Sequence, residues 1–514
     1  MTTSRHPAAA PIGPLLLAGL LVAGCSGLGG RQTKEATSGL WIEPSELPLL
    51  DPVMLDTLAA AGIREVFVPV AELDLGADGG PLKRRPLPEL APSLRLNVVV
   101  EGELELAGRE AAAAAASVGG ALRQLLFDVE ARGIVPVGVH FDLREIDAIA
   151  AAGKFFRELR GALGETFLSL SLRRSWMDSP EIGELTRGVD YAVPFLYGQR
   201  AWEQDSDAAW DFEVLKGRLA QLEDDGVPYM LGIIGVGTAT HKGRDGAVKA
   251  YTSRQALAPF LWNRDLKLQS GFTLEATYRR AYTLVAERPT RVGDWKIAPR
   301  DEIRLVRPMT TDLEQLLALL ARGDYQHLIG QLYYRLPAPE ERMSLTVENV
   351  LNALDAGPQA PDLHFEVQVT RRTRRGHVFR FVVANQNGET TELSLLDNNY
   401  LQITADEDAF GAVDVGDFYQ YDLLRLKPGG EVERRYRNAN VVRLRMPILE
   451  GRQRIVSGDV EIHRRNPTLT LNARFMLPDG RTVELGPYTW KDGELHGLEK
   501  DEGEAPAADA PPST

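Results

Sequence analysis

The sequence predicts a (β/α)8 TIM-like barrel, then a helical connector and a C-terminal all-β sandwich. Three observations carry this. Short β-runs alternate with helical patterns from Gly39 over about 250 residues, the length and rhythm of such a barrel. From His364 the apolar period changes from 3.6 to 2. Within that second stretch, Asn387-Gly388 and Asp479-Gly480 are strong hairpin signals. An open doubly wound sheet is the rival to the barrel, but no strand-to-helix turn carries a Gly-rich phosphate loop. Gly235-Val236-Gly237 lacks both the third glycine and the following helix, so no nucleotide cofactor is expected.

The elements follow in order. Residues 39–43 (GLWIE) form the first strand. Residues 51–62 form a helix, with Asp51 as cap, Pro52 in the first turn and Gly62 as stop. Residues 64–70 (REVFVPV) are the second strand, and a loop rich in Gly, Pro and Arg runs to Pro92. Residues 94–100 are the third strand, ending at Glu101, and an Ala-rich helix spans 109–131 before Gly133. The fourth strand, VPVGVHFDLRE at 135–145, is a short apolar run that breaks into polar residues, with a helical pattern at once from 145 to about 163. Residues 166–172, 191–197 and 229–236 are the fifth to seventh strands, with a helix over 207–222 that puts Trp210, Leu215 and Leu219 on one stripe. A polar loop carries His241, Lys242 and Arg244; residues 247–261 are partly helical. Residues 270–276 (SGFTLEA) are the eighth strand, followed by a helix over about 278–287, so the barrel spans 39–306. Leucine-rich helices over 312–336 and 344–356 make a connector at 307–358, closed by Gly357-Pro358. The sandwich covers 359–495, where Tyr488 and Trp490 are core candidates, and an acidic Ala/Pro-rich tail, 496–514, has a disordered composition.

The chain has 514 residues, 44% hydrophobic and 25% charged, which is enough to bury two or three cores. A formal net charge of -14 argues against nucleic acid as a partner, since phosphate binding needs an excess of Lys and Arg. Cys25 is the single cysteine, so neither an intramolecular disulfide nor a thiolate metal cluster is open to it. It follows a basic start at Arg5 and His6 and an apolar run over 14–23 that is too short to span a bilayer. Val22-Ala23-Gly24-Cys25 resembles the bacterial lipobox. That resemblance implies a leader over 1–24, lipidation at Cys25, a tether over 25–38 and a lipid-anchored protein of the cell envelope. Ser26 is compatible with sorting to an outer membrane, facing the periplasm.

At the C-terminal rim of such a barrel, where βα-loops build active sites, several carboxylates and aromatics would meet. Glu43 ends the first strand, Glu101 the third and Asp142 the fourth. Trp176 follows the fifth, Tyr197 ends the sixth, and Glu275 lies late in the eighth. His140 points to the same side as Asp142, and Trp41 to the same side as Glu43. Paired carboxylates are what glycosidic chemistry needs, one to protonate the leaving oxygen and one as nucleophile or base. Aromatic faces stack on sugar rings. The alternative for each acid is a helix cap or an ion pair; for Asp142 it is the cap of the next helix. No metal is expected: His140, His241 and Asp142 lack H-E-x-x-H spacing. Ser169, Ser171 and Ser175 lack the G-x-S-x-G elbow.

GVHFD at 138–142, LSLSL at 168–172 and VPFLYG at 193–198 are similar to an uncharacterised family of bacterial lipoproteins with a glycosidase-like TIM barrel, distantly similar to the chitinase superfamily. In the chitinase pattern the fourth strand ends D-x-D-x-E, and the matching positions here are His140, Asp142 and Arg144. Only the middle acid is present, and Glu145 is one residue out of register, so it faces the other way on an extended strand. The M-x-Y-D pattern of the sixth strand keeps Tyr197, with Gly198 in place of the acid. The resemblance implies a glycosidase-like fold acting on or binding a glycan or cell-envelope polysaccharide, and the missing acids argue against a substrate-assisted N-acetyl mechanism. Asp142, Glu275 and Glu43 are the catalytic candidates; Trp41, Glu101, His140, Trp176 and Tyr197 are the substrate-binding ones. A non-catalytic glycan-binding or assembly lipoprotein, or an interaction scaffold, is the alternative, and Arg144 at the general-acid position favours the first of these.

Overall fold

The structure is a computed structural model that describes residues 37–497 apart from 77–79, 88–93, 196–211, 254–256, 271–278, 336, 338–340, 342, 355–359, 375, 394–397, 407, 428–431, 436–437 and 479. The chain divides into two compact units after Pro358.

The first unit is built on eight parallel strands: β1 (Ser38–Trp41), β2 (Ile63–Leu73), β3 (Arg95–Leu104), β4 (Val135–Ile146), β5 (Phe167–Leu172), β6 (Tyr191–Pro194), β7 (Tyr229–Ile234) and β8 (Leu328–Tyr334). Each pairs with the next, and β1 pairs with both β2 and β8, so the ring closes. The register at closure is Trp41 opposite Phe67 on one side and Leu40 opposite Tyr333 on the other. A short strand, Leu82–Arg84, adds antiparallel to the end of β2.

Helices pack outside the ring. Ala111–Glu130 buries Ala115, Val118, Leu122, Leu125 and Val129 along one stripe, a helical period expressed as packing. Its neighbour Ile149–Leu163 buries Ala152, Phe155, Phe156 and Leu159. Small residues set the spacing: a Cβ on Gly119 would lie 3.0 Å from the Ala162 Cβ. Phe141, on the outer face of β4, meets Phe155 and Phe156 edge-on at 6.5 and 5.3 Å, an arrangement the ring quadrupoles favour.

Inside the ring, glycines make room for large side chains. A Cβ on Gly39 would come within 2.6 Å of the Phe67 ring, one on Gly138 within 2.8 Å of Asn97 Oδ1, and one on Gly232 within 2.3 Å of the Phe195 ring. The interior is therefore a packed core rather than a channel, as such barrels require.

Several sequence expectations about the barrel are corrected. The eighth strand is Leu328–Tyr334, not residues 270–276, so the barrel continues well past residue 306 and includes most of what was read as a connector. Between β7 and β8 lies an inserted five-stranded antiparallel sheet, ordered Val248–Thr252, Thr238–Lys242, Glu302–Pro308, Arg279–Ala286 and Leu266–Ser270. The stretch read as a helix over 278–287 is mostly strand Arg279–Ala286, whose seven register pairs to Glu302–Pro308 override its mixed local pattern. The helix expected over 312–336 is Thr310–Arg322; past Gly323 the chain extends into β8, where parallel pairing to β1 and β7 decides the conformation. Residues 271–278, including Glu275, lie outside the described residues.

The strand expected over 135–145 is also longer on its far side. β4 runs to Ile146 because β3 continues beside it to Leu104, and the helix starts only at Ile149. Asp142 therefore caps no helix.

The second unit, from Gln359, holds two antiparallel sheets. One has Leu363–Arg372, His377–Asn385, Val460–Ile462 and Phe410–Val413, with Arg454–Val456 beside it; the other has seven strands centred on Tyr400–Ala405, Val441–Arg445 and Leu469–Met476. Their inner faces meet as a β-sandwich. Trp490 is buried, edge-on to Phe379 at 4.9 Å, and so belongs to the core. The alternation along Leu469–Met476, buried at every second residue, is the period of 2 made visible.

Candidate active site at the barrel mouth

The C-terminal ends of β1, β3, β4 and β8 bring a polar group together. Glu101 on β3 lies directly opposite Asp142 on β4 in the strand register. Glu43 follows β1, and its Oε1 accepts a hydrogen bond from the Trp41 indole N–H at 3.4 Å. Tyr334 ends β8 and packs against Trp41 and Phe195, with ring centroids 5.2 and 5.7 Å apart.

Three arginines attend these acids. Arg85 pairs with Glu101 at 2.6 Å. Arg173, after β5, reaches Asp142 Oδ1 at 3.5 Å while its Nε donates to the Leu143 carbonyl at 2.6 Å. Arg335 bridges Glu46 and Glu341, each at 2.5 Å. Glu46 in turn accepts from the backbone N–H of Glu43 at 3.3 Å, so this clamp fixes the segment that carries Glu43.

Electrostatics separate these groups. Burial raises Asp142 above the usual carboxyl range; Arg173 and a hydrogen bond from Ser171 oppose this, and Glu101 and Glu43 add to it. Burial also raises Glu43, helped by Glu101 and opposed by the Trp41 hydrogen bond, Arg335 and Arg85. Glu46 is pushed up to about 6 by burial, which outweighs Arg335. The Tyr334 hydroxyl is raised by burial and then by the charges of Asp142 and Glu43. Two acids whose ionisation is disfavoured, beside a third held in an ion pair, are the ingredients for proton donation next to a carboxylate.

Below this rim, His140 is fully buried. Its Nδ1 lies 2.9 Å from Ser169 Oγ and its Nε2 lies 2.9 Å from Ser171 Oγ, with the Trp41 and Phe67 rings edge-on at 5.8 and 5.3 Å. Strand alternation accounts for the placement: His140 and Asp142, Ser169 and Ser171, and Trp41 and Glu43 are each two apart and share the inward side.

Glu43, Glu101 and Asp142 stand at the ends of β1, β3 and β4, near enough for their charges to act on one another. Trp41 and His140 were expected to touch a substrate; both are fully buried and instead form the floor under the acids. Trp176 is 7% exposed with the Arg173 guanidinium 5.8 Å from its ring centre, so it backs Arg173 rather than offering a free face. Tyr197 and Glu275 lie outside the described residues. Arg144 projects into solvent and meets Glu72 at 3.7 Å and Glu103 at 3.5 Å. Among the described residues no group of three or more His, Cys, Asp or Glu is arranged to hold a metal.

Tyr334, Arg335, Arg173 and Glu46 were missed by the sequence reading. The run QLYYR after a Gly323 helix stop was a strand signal for the first two, but a helical reading of 312–336 masked it. Arg173 and Glu46 sit in strand-to-helix connections, where sequence periodicity is silent.

No protein-family model matches the sequence, and no curated protein does. Among solved structures the chain is similar to the spore cortex-lytic enzyme SleL of Bacillus cereus, at 14% identity over 63% of this chain and 74% of that one, with a TM-score of 0.40. It is similar to SleL of Bacillus megaterium at 14% identity, over 63% and 75%, with a TM-score of 0.43. It is also similar to a chitinase from Bacteroides thetaiotaomicron at 9% identity, over 63% and 96%, with a TM-score of 0.36. The fold assignment rests on the closed ring of strands itself.

Proposed function

We propose that this chain is a lipid-anchored cell-envelope protein whose barrel mouth acts on a glycan, cleaving a glycosidic bond with acids drawn from Glu43, Asp142 and Glu101. The observation that carries this is the meeting of three carboxylates from three strand ends, two of them raised by burial and mutual repulsion. In this scheme Glu43, the acid less enclosed by protein, delivers a proton to the leaving oxygen. Asp142 and Glu101 face the developing positive charge of the sugar ring. Arg173 holds Asp142 in place, and Tyr334 closes the wall between the strands. The lipobox-like Val22-Ala23-Gly24-Cys25 supports the lipid anchor, which in this reading sets the barrel beside envelope polysaccharide.

A second reading is glycan binding without turnover. It is favoured by Arg144, which stands at the general-acid position of the chitinase pattern and is turned outward between Glu72 and Glu103. One experiment separates the two: a glycan-array and hydrolysis screen of the protein beside Glu43→Gln and Asp142→Asn. Hydrolysis lost by about 10²–10⁴-fold in Glu43→Gln, with glycan retention intact, supports turnover, since that is the usual contribution of a general acid. Retention without hydrolysis in all three supports the binding reading. Absence of both for every envelope glycan would remove the proposal.

A further inference from the structure

We propose that the N-terminal rim of β2, β3 and β4 is the face this protein lays on the bilayer that holds it, so that the barrel mouth opens away from the lipid. This orientation rests on the anchor at Cys25 read above and on no glycan chemistry.

The chain enters the barrel at that rim. The Thr37 N–H donates to the Ile329 carbonyl at 2.9 Å and the Ser38 N–H to the Gly62 carbonyl at 3.3 Å, so the start of β1 is pinned there. β1 to β8 run parallel, which puts this end of the ring opposite the end that carries Glu43, Glu101 and Asp142. Twelve peptide steps separate Cys25 from Thr37 and span at most about 40–43 Å, at roughly 3.3–3.6 Å each. β4, with 12 residues, is itself about 40 Å long, and a tilt of roughly 36° leaves about 32 Å along the barrel axis. A mouth turned to the bilayer would need nearly the whole tether stretched along the barrel wall. An entry rim turned to the bilayer needs no stretching.

One sector of the rim also has the chemistry of a lipid-facing surface. Phe127, in the last turn of Ala111–Glu130, is 64% exposed, and Val135, the first residue of β4, is 59% exposed. Exposed Arg64, Arg95 and Arg132 stand in the same sector, against exposed Glu130 and Glu165. Arg95 reaches Glu65 only at 3.9 Å, and Arg132 donates to the Leu87 carbonyl at 3.2 Å. The rim just before β7 and β8 is instead acidic, with Asp224, Asp225 and Asp324 exposed. In a chain of net charge -14, a sector with more arginine than carboxylate and two bare apolar side chains is the one an anionic bilayer attracts. Apolar side chains enter the headgroup layer while the guanidinium groups meet lipid phosphates. The mouth then stands about 32 Å off the bilayer, which selects a glycan held clear of the membrane over a sugar head group within it.

The test is hydroxyl-radical footprinting of the protein purified from membranes and returned to vesicles of phosphatidylethanolamine and phosphatidylglycerol, beside Cys25→Ser protein in solution. The mass of the N-terminal peptide shows whether Cys25 carries lipid. On vesicles, Phe127 and Val135 are expected to oxidise several-fold more slowly than in solution. Val53, 75% exposed on the first turn of the helix that leaves the mouth side of β1, is expected to be unchanged. In Phe127→Glu/Arg132→Glu, two changes at exposed positions that leave Cys25 intact, Val135 is expected to lose its protection. Protection that persists in that variant overturns the face. So does oxidation of Phe127 and Val135 at their solution rates, or protection of Val53 instead, and in each case a lipidated Cys25 leaves the anchor standing. A Cys25 without lipid removes the anchor reading; its free thiol is then coupled to a maleimide lipid in the same vesicles, and the same comparison decides the face.

Discussion

Glu46 shows how one residue can be both paired and reluctant to ionise. Its carboxyl meets Arg335 at 2.5 Å, yet burial dominates and its pKa stands at about 6 against an ordinary 4.5. The folded state therefore holds this proton more tightly than the unfolded chain does. Its contribution to stability is fully present below pH 4.5 and is lost as pH rises through about 6. Replacing it with Gln should flatten the dependence of Tm on pH between 4.5 and 6, measured by thermal unfolding in a buffer series. An unchanged slope would show that another group governs this window. Because the same variant loses the ion pair to Arg335 that braces the segment carrying Glu43, it should also lower any activity carried by Glu43 without touching substrate itself.

At the scale of elements, the barrel interior depends on where side chains are absent. Gly232 on β7 faces Phe195, just beyond β6, and a Cβ there would sit 2.3 Å from the ring. Phe195 also packs edge-on against Trp41 and Tyr334, so it has little freedom to retreat. Gly232→Ala should cost about 1–3 kcal/mol, the range for overpacking a filled core. Shrinking the neighbour, Phe195→Leu in the Gly232→Ala background, should return part of that loss in chemical denaturation. If Gly232→Ala alone is neutral, the interior is looser than this packing implies. The inserted sheet has its own polar anchor. Asp301 accepts from His241 at 2.8 Å and from Lys249 at 2.9 Å. Burial alone would raise that carboxyl, but these hydrogen bonds outweigh it and bring it down to about 2.

For the whole molecule, the decisive property is location. No helix among the described residues is long and apolar enough to cross a membrane. In the proposed reading, attachment runs through Cys25. Cys25→Ser should shift the protein from the membrane to the soluble fraction of its host and abolish labelling by a fatty-acid analogue. A variant that still pellets with membranes would point to another means of attachment. Several acyl chains on one residue suffice for stable anchoring, so no second signal is required.

The strand-by-strand rhythm of residues 39–236, the change of period at His364 and the shared side of residues two apart, such as His140 and Asp142, were legible in the text alone. Each is a local pattern: side-chain direction repeats every second residue on a strand, and apolar spacing follows the same rule. The eighth strand was not legible there. Residues 328–334 become β8 only because β1 and β7 offer unpaired edges that must be joined for the ring to close, a demand made by residues nearly 300 positions away. The same long-range pairing carried β4 past Asp142 and brought Tyr334 and Arg335 to the acids. Sequence determined which side of each strand its residues face; only the closed tertiary structure decided which strands meet, and so which charges share one buried space and shift one another.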